Sequence, residues 1–459
     1  MSFVLYDITF LILFVLITFI FLYQRRKNLQ RQGLLYLYRT KIGVKIIDSI
    51  SKKYSKILKP LQYLVVTCGY ALMVGMVWMM IKLAYVYISS PTLAKAIRAP
   101  VLTPLFPYVD KLFGNNILPP FYFTYWIIVI AIIAISHEFA HGIFARLNKI
   151  KVHATGFGFL GPFLAAFVEP DEKQMEKAKT FPQLAILAAG TFANIVMTIL
   201  FGIILWLFFV AAFAPTGVYF SSYALTPVNI TDISSSLSSV NLSSASLIPF
   251  MVMNTTYYTT SSSVQYTLDN NLSQLLVYDN SPAFKSNLSG AITQIDETKI
   301  TSYNDLNKTL SSHSPGDVIN VKTIDNGKEN NYEIKLADNN GRAVMGIMFS
   351  GNAKPSGLLG WFYSLISDFK NPMVYYQSLM GDFGVFIYDM LWWIVIINVS
   401  VALMNMLPLG IFDGGKFFYL SILALTRSKK VSEIAYKFST WFFLILLAAM
   451  MLKWILIFV

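Results

Sequence analysis

Long uninterrupted apolar runs dominate the chain, separated by short stretches in which basic residues cluster. Six runs are long enough to cross a bilayer, because about 20 helical residues at about 1.5 Å each span the hydrocarbon. They lie at approximately Phe3–Tyr23, Leu61–Ile88, Phe121–Leu147, Leu184–Ala214, Tyr388–Leu425 and Ile434–Val459. The fifth is too long for one regular helix, and Pro408 and Gly414-Gly415 break it. The first run has no basic residue before it and no small-residue cleavage site, so it reads as a retained anchor. The pattern changes between the fourth and fifth runs. From Thr226 to Ser263 the chain is turn-rich and low in charge, which predicts a linker or irregular cover. From about Val264 to Ser350 it predicts strands at Leu275–Tyr278, Val318–Val321 and Tyr332–Leu336, and a short helix at Asn304–Ser311.

Charge fixes an orientation for these runs. Only 13% of the 459 residues are charged, against about 25% in soluble proteins, and 55% are hydrophobic. The net charge of +12 does not point to nucleic acid, because the basic residues sit beside the apolar runs. Arg25, Arg26, Lys27, Arg31, Arg39, Lys41, Lys45, Lys52, Lys53, Lys56 and Lys59 fill the first connection, with Asp48 nearly alone against them. By the positive-inside rule that connection is cytoplasmic, as are Lys149–Pro182 and the Arg427–Lys430 turn. The segment from Pro215 to Tyr375 and both termini then fall outside. Six acceptor sequons, at Asn229, Asn241, Asn254, Asn271, Asn287 and Asn307, are compatible with that exterior placement. The single cysteine, Cys68, lies within an apolar run and reads as a small buried hydrophobe.

The third run carries His137-Glu138-Phe139-Ala140-His141. Positions i and i+4 share a helical face, so both imidazoles can reach one metal ion, with Glu138 beside them to hold a water proton. A charge in the middle of a spanning helix costs about 2.5–3.5 kcal/mol, so this polar turn needs a reason. Zinc accepts imidazole and carboxylate ligands, and catalytic sites use three protein ligands plus water. The best third ligand is Asp413, in an apolar context close to Pro408 and next to Gly414-Gly415. His153 and Glu169 are rivals, but both flank the basic, water-facing side.

Taken together, His137–His141, Gly190-Thr191-Phe192-Ala193-Asn194 and the Asn405–Gly414 segment resemble the site-2 protease family of intramembrane metalloproteases. The match covers about Phe121 to Leu425. It implies one zinc ion per chain, held by His137, His141 and Asp413, with Glu138 as acid/base. It implies that Asn194 and Asn405 hold the substrate backbone. Gly156 and Gly158 fall where the family has a membrane-dipping hairpin able to pair with an extended substrate. Ser281-Pro282-Ala283, the Gly290–Ile295 strand, Ile300–Leu306 and Ser314-Pro315-Gly316 resemble an inserted PDZ domain, without a clear carboxylate-binding loop.

The expected protein is therefore a polytopic all-α membrane protein of about six transmembrane helices with an inserted extracytoplasmic α+β domain. Its regions are 1–120 (two spans and a basic cytoplasmic loop), 121–214 (first part of the catalytic core), 215–263 (linker), 264–351 (PDZ-like), 352–425 (second part of the core) and 426–459 (last span). It would reside in the cell membrane and cut single-span membrane proteins, some already trimmed by another protease, near the cytoplasmic side. The ligands would lie on the order of 10 Å inside the Arg146 boundary. Two rivals are a membrane-anchored zinc protease acting at the cytoplasmic face and a non-catalytic transporter or scaffold with a metal-stabilised core.

Overall fold

Six helices among the described residues are long and apolar enough to cross a membrane. In the computed structural model the described residues are 3–33, 35–89, 106–108, 119–160, 163–231, 247–252, 255–325, 327–349 and 370–458. The chain divides into two compact units, Met1–Phe208 with Phe386–Val459, and Phe209–Val385.

The first unit begins with α1 (Phe3–Gln24). The basic connection after it is ordered: β1 (Leu29–Gln32) and β2 (Leu35–Thr40) form a hairpin, and α2 (Ile42–Lys53) follows. α3 (Ser55–Ser89) leads to α4 (Phe123–Leu147), which carries His137–His141. β3 (Val152–Leu160) and β4 (Phe163–Pro170) join the first hairpin in one antiparallel sheet of order β1-β2-β3-β4. The unit is thus mostly helical but not all-α. Residues 1–120 are not a separate region either, since β2 pairs β3 and α2 packs on α4. Ile47 of α2 fits where Gly142 has no side chain, and Arg146 pairs with Asp48.

After α5 (Glu172–Lys177), α6 (Thr180–Ala212) supplies a strip of small residues. Ala185, Ala188 and Ala189 are fully buried, and Val65, Phe144, Met406 and Phe417 pack in the same cluster. Small side chains let membrane helices approach closely, and here they bring α3, α4 and α6 together around Met406 and Phe417. The predicted fifth run resolves into α10 (Gly381–Asn405) and α11 (Asp413–Thr426), separated by the break Met406–Phe412. Irregular backbone is tolerated at membrane depth only when covered. Met406, Leu407 and Leu409 are all but fully buried, and the two leucines pack with Met76 and Met80 of α3 and with Phe443 of α12 (Lys429–Phe458).

One further tie crosses this unit. Asp7 of α1 is buried, and its carboxylate accepts from the Phe123 and Thr124 N–H groups, each at 2.8 Å. It therefore caps the start of α4 from another helix, satisfying donors that a helix N-terminus leaves free.

In the second unit β5 (Phe213–Val218) pairs β18 (Val374–Ser378) and β11 (Ala291–Ile295). β11 continues to β12 (Thr298–Lys299) on one side and to β13 (Val318–Asp325) and β14 (Lys328–Lys335) on the other. Its core includes Val218, Ile292, Ile295, Ile319 and Ile334, with Ala283 of α8 (Pro282–Lys285) and Leu306 of α9 (Tyr303–Ser311). The strands and helix expected around 275–336 are therefore present.

The expected linker, 215–263, is a correction: its described residues are largely strand. β6 (Ser222–Tyr223) pairs β17 (Ile347–Met348), and β15 (Ala337–Asn339) pairs β16 (Arg342–Val344). β7 (Leu225–Asn229), β8 (Ile248–Val252) and β9 (Thr255–Thr259) join β10 (Gln274–Asp279) in a sheet of order β7-β10-β9-β8. α7 (Ser261–Asp269) contributes Val264 to that sheet's core. Thr and Tyr sit well on a pleated surface, so low charge and high Ser/Thr content mimicked a linker. The sequons at Asn241 and Asn254 lie outside the described residues.

Candidate metal centre

His137 and His141 leave the same face of α4, and Asp413 comes from the first turn of α11. His137 Nε2 lies 3.0 Å from His141 Nε2, and each lies 3.3 Å from Asp413 Oδ2. Among the described residues this is the one group of such side chains placed to share an ion. Ligand atoms held tetrahedrally at about 2.0–2.1 Å from zinc are about 3.3 Å apart, so the spacing fits.

The far side of each ring decides which nitrogen faces the ion. His141 Nδ1–H donates to the Ile186 carbonyl at 2.7 Å, leaving Nε2 as the ligand atom. For His137 the partner is the fully buried Asn194 amide, 3.2 Å from Nδ1, whose Oδ1 otherwise has no partner. An amide turned with Oδ1 toward the ring accepts from Nδ1–H. That orientation satisfies the oxygen and again frees Nε2. Two imidazoles and one carboxylate match the kind of donor set that catalytic zinc sites use.

Gly190, one helical turn after Ile186 on α6, makes this approach possible. A Cβ there would lie 2.5 Å from the ring atoms of both histidines. The sequence displayed Gly190 in its motif, but its steric reason appears only where α6 crosses α4. Gly414 and Gly415 act similarly behind Asp413, since a Cβ on either would meet the backbone of the break, at Leu407 and Leu409.

Glu138 is half-buried, and its Oε2 accepts from Val168 N–H at 3.2 Å. Sequence reasoning missed Val168, which lies on β4. Gly156 and Gly158 lie on β3, between β2 and β4: Arg39 and Phe167 flank the first, Leu37 and Ala165 the second. Both of their edges are therefore occupied; the edge strands of the sheet are β1 and β4, and β4 is the one that adjoins Glu138. At Gly156 a side chain would strike the Tyr38 carbonyl and the Phe167 ring. Asn405 ends α10, across the break from Asp413, and among the described residues no hydrogen bond joins it to the ligands.

The rival ligands have other partners. Glu169 pairs with Arg39 at 3.0 Å, and His153 lies 3.2 Å from Asp171. The Gln174 N–H, with His153, holds the Asp171 carboxyl below its ordinary range. Cys68 is half-buried in α3.

Comparison with known proteins agrees with this geometry. The model for "Peptidase family M50" matches residues 125–448, well over half of the chain. An uncharacterized protein of Methanocaldococcus jannaschii is 32% identical over 199 residues, 41% of this chain and 48% of that protein. The matched stretch thus spans about half the length of that relative. The family match takes in α4 with both histidines, the Gly190–Asn194 approach and the break that presents Asp413, and on that footing the chain belongs to peptidase family M50, the site-2 protease family of membrane metalloproteases.

Proposed function

We propose that this protein is a zinc-dependent endopeptidase that hydrolyses peptide bonds within transmembrane segments of single-span membrane proteins. The observation that carries the reading is the His137–His141–Asp413 triangle, its histidines and Glu138 on a helix of span length. When bound there, zinc supplies Lewis-acid polarisation of the scissile carbonyl and acidifies the attacking water.

The protein's own groups do the rest. Glu138 takes the proton of the attacking water and returns it to the leaving amine. Asn194 and the Ile186 carbonyl hold the two imidazoles in the ligating tautomer. A helical substrate hides each carbonyl in its own hydrogen bonds, so it must unwind before attack. The open edge of β4, beside Glu138, offers such an unwound segment a strand to pair with. Helix-destabilising residues near the cut should therefore favour cleavage.

By the positive-inside rule the site would lie near the cytoplasmic side of the cell membrane and the second unit outside. There its PDZ-like core would select substrates whose outer portions another protease has already trimmed. Asn405, at the start of the break, would contact the substrate backbone.

The test is cleavage of a tagged single-span substrate in proteoliposomes. Wild type should cut within the span. Glu138→Gln should retain zinc and lose cleavage by roughly three orders of magnitude or more, within the range general acid–base catalysis contributes. Equal cleavage by both would overturn the role of Glu138.

A further inference from the structure

Between α4 and the sheet lies an apolar cavity of about 120 Å³. Ile127, Ala131, Ala134 and Ile135 line it from the helix, and Phe157 and Ala166 from the strands. Counting from Ile127, residues 131, 134 and 138 follow at i+4, i+7 and i+11. That spacing stacks Ile127, Ala131 and Ala134 on the face of α4 that carries Glu138. Ile135 and Phe157 are each left 42% exposed at its mouth.

The cavity adjoins the open edge of β4. Val168 donates its N–H to Glu138, away from β3, so Val168 faces that edge. Alternate residues of a strand repeat the same backbone direction, so the N–H and C=O of Ala166 and Leu164 face it too. In apolar surroundings those groups need hydrogen-bonding partners. A lipid acyl chain has none. An extended peptide supplies them at the strand repeat while sending side chains sideways.

We propose that this cavity is a specificity subsite for one aliphatic side chain of an extended substrate segment lying along β4. The proposal rests on the protease reading above. A dry cavity of about 150 Å³ accommodates benzene, so this one admits Val, Ile, Leu or Met and excludes Phe and Trp. Ala166 is two residues from Val168, about 6.6 Å at the strand rise, so the subsite serves a residue within about two positions of the cut bond. Ala131 and Ala134 set its depth.

The first experiment measures cleavage of a single-span substrate in proteoliposomes, with Ala, Val, Leu, Phe or Trp placed in turn at each position within three of the cut. At one position wild type should favour Val or Leu over both Ala and Trp, by roughly 10–200-fold in kcat/KM, the range that methylene-sized differences produce in an apolar pocket. Ala134→Leu, with zinc content intact, should shift the optimum there to Ala. An unchanged profile in that variant overturns the proposal.

The second experiment separates this failure from failure of the protease reading. Glu138→Gln protein is photolysed with the same substrate carrying photoleucine at each position in turn. Labelling should fall on residues 127–135 or Phe157 and disappear when Ala134→Leu is added. Labelling that survives the filled cavity overturns the subsite, as does labelling of these residues by a diazirine phospholipid that the peptide fails to displace. No cleavage by wild type alongside correct photolabelling would overturn only the catalytic reading.

Discussion

Gly190 shows how one missing side chain governs the metal centre. With a Cβ only 2.5 Å from both imidazoles, Gly190→Ala must push the rings or the helix aside. Overpacking of this kind costs roughly 1–3 kcal/mol, so zinc affinity should fall roughly 5–150-fold in competition with a chromogenic chelator. Unchanged affinity would mean that α6 can retreat freely. His137, Glu138 and His141 were legible in the chain because their spacing is local and helical. Gly190 stood in a recognisable motif, yet nothing local distinguishes a glycine that admits two rings from one that only loosens a helix. Asp305 is a second residue whose environment sets its behaviour. The Thr301 hydroxyl, followed by Ser302, holds its carboxyl below the usual carboxylate range. Its contribution to the start of α9 is therefore present above the ordinary Asp pKa and lost as pH falls through the lowered one. Protection factors at residues 303–306, taken relative to the intrinsic exchange rate at each pH, should fall on acidification, and Asp305→Asn should flatten that dependence.

At the level of elements, the most consequential contact joins α1 to α4. Asp7 accepts both Phe123 and Thr124 N–H groups and the Thr124 hydroxyl, so the first helix fixes where the ligand-bearing helix begins. Asp7→Ala should destabilise the protein by roughly 1–3 kcal/mol, and Asp7→Asn by less because it keeps one acceptor. The readout is the thermal midpoint in detergent, and equal midpoints for all three proteins would remove the cap from the account. The spans themselves were readable because apolar length is a property of the local sequence. Their partnership was not, since one carboxylate in the first run gives no hint of which helix end it meets. The sheet illustrates the same limit. Its glycines suggested a membrane-dipping hairpin able to pair with substrate, but β2 and β4 occupy both edges of β3, and only pairing order reveals that β1 and β4 are the edge strands.

For the whole molecule, an ion held by His137, His141 and Asp413 would join α4 directly to α11, with α6 orienting both imidazoles. Binding to the folded state alone stabilises it by about 2.7 kcal/mol at free zinc 100 times the dissociation constant. Chelation should therefore lower the unfolding midpoint and added zinc restore it, whereas Asp413→Asn should greatly reduce the zinc-dependent rise. A full rise in that variant would place the third ligand elsewhere. The chain by itself determined six apolar spans, the basic connections, the His137–His141 motif and the strands near 275–336, because each is written in neighbouring residues with a fixed period. Only the tertiary structure decided that the described residues of 215–263 are largely strand, that the described residues before 120 belong to the ligand-bearing unit, and that the break after Asn405 carries Asp413 to the two histidines. Those outcomes depend on which surfaces meet, and helix crossings and strand pairings join residues hundreds of positions apart that no local pattern connects.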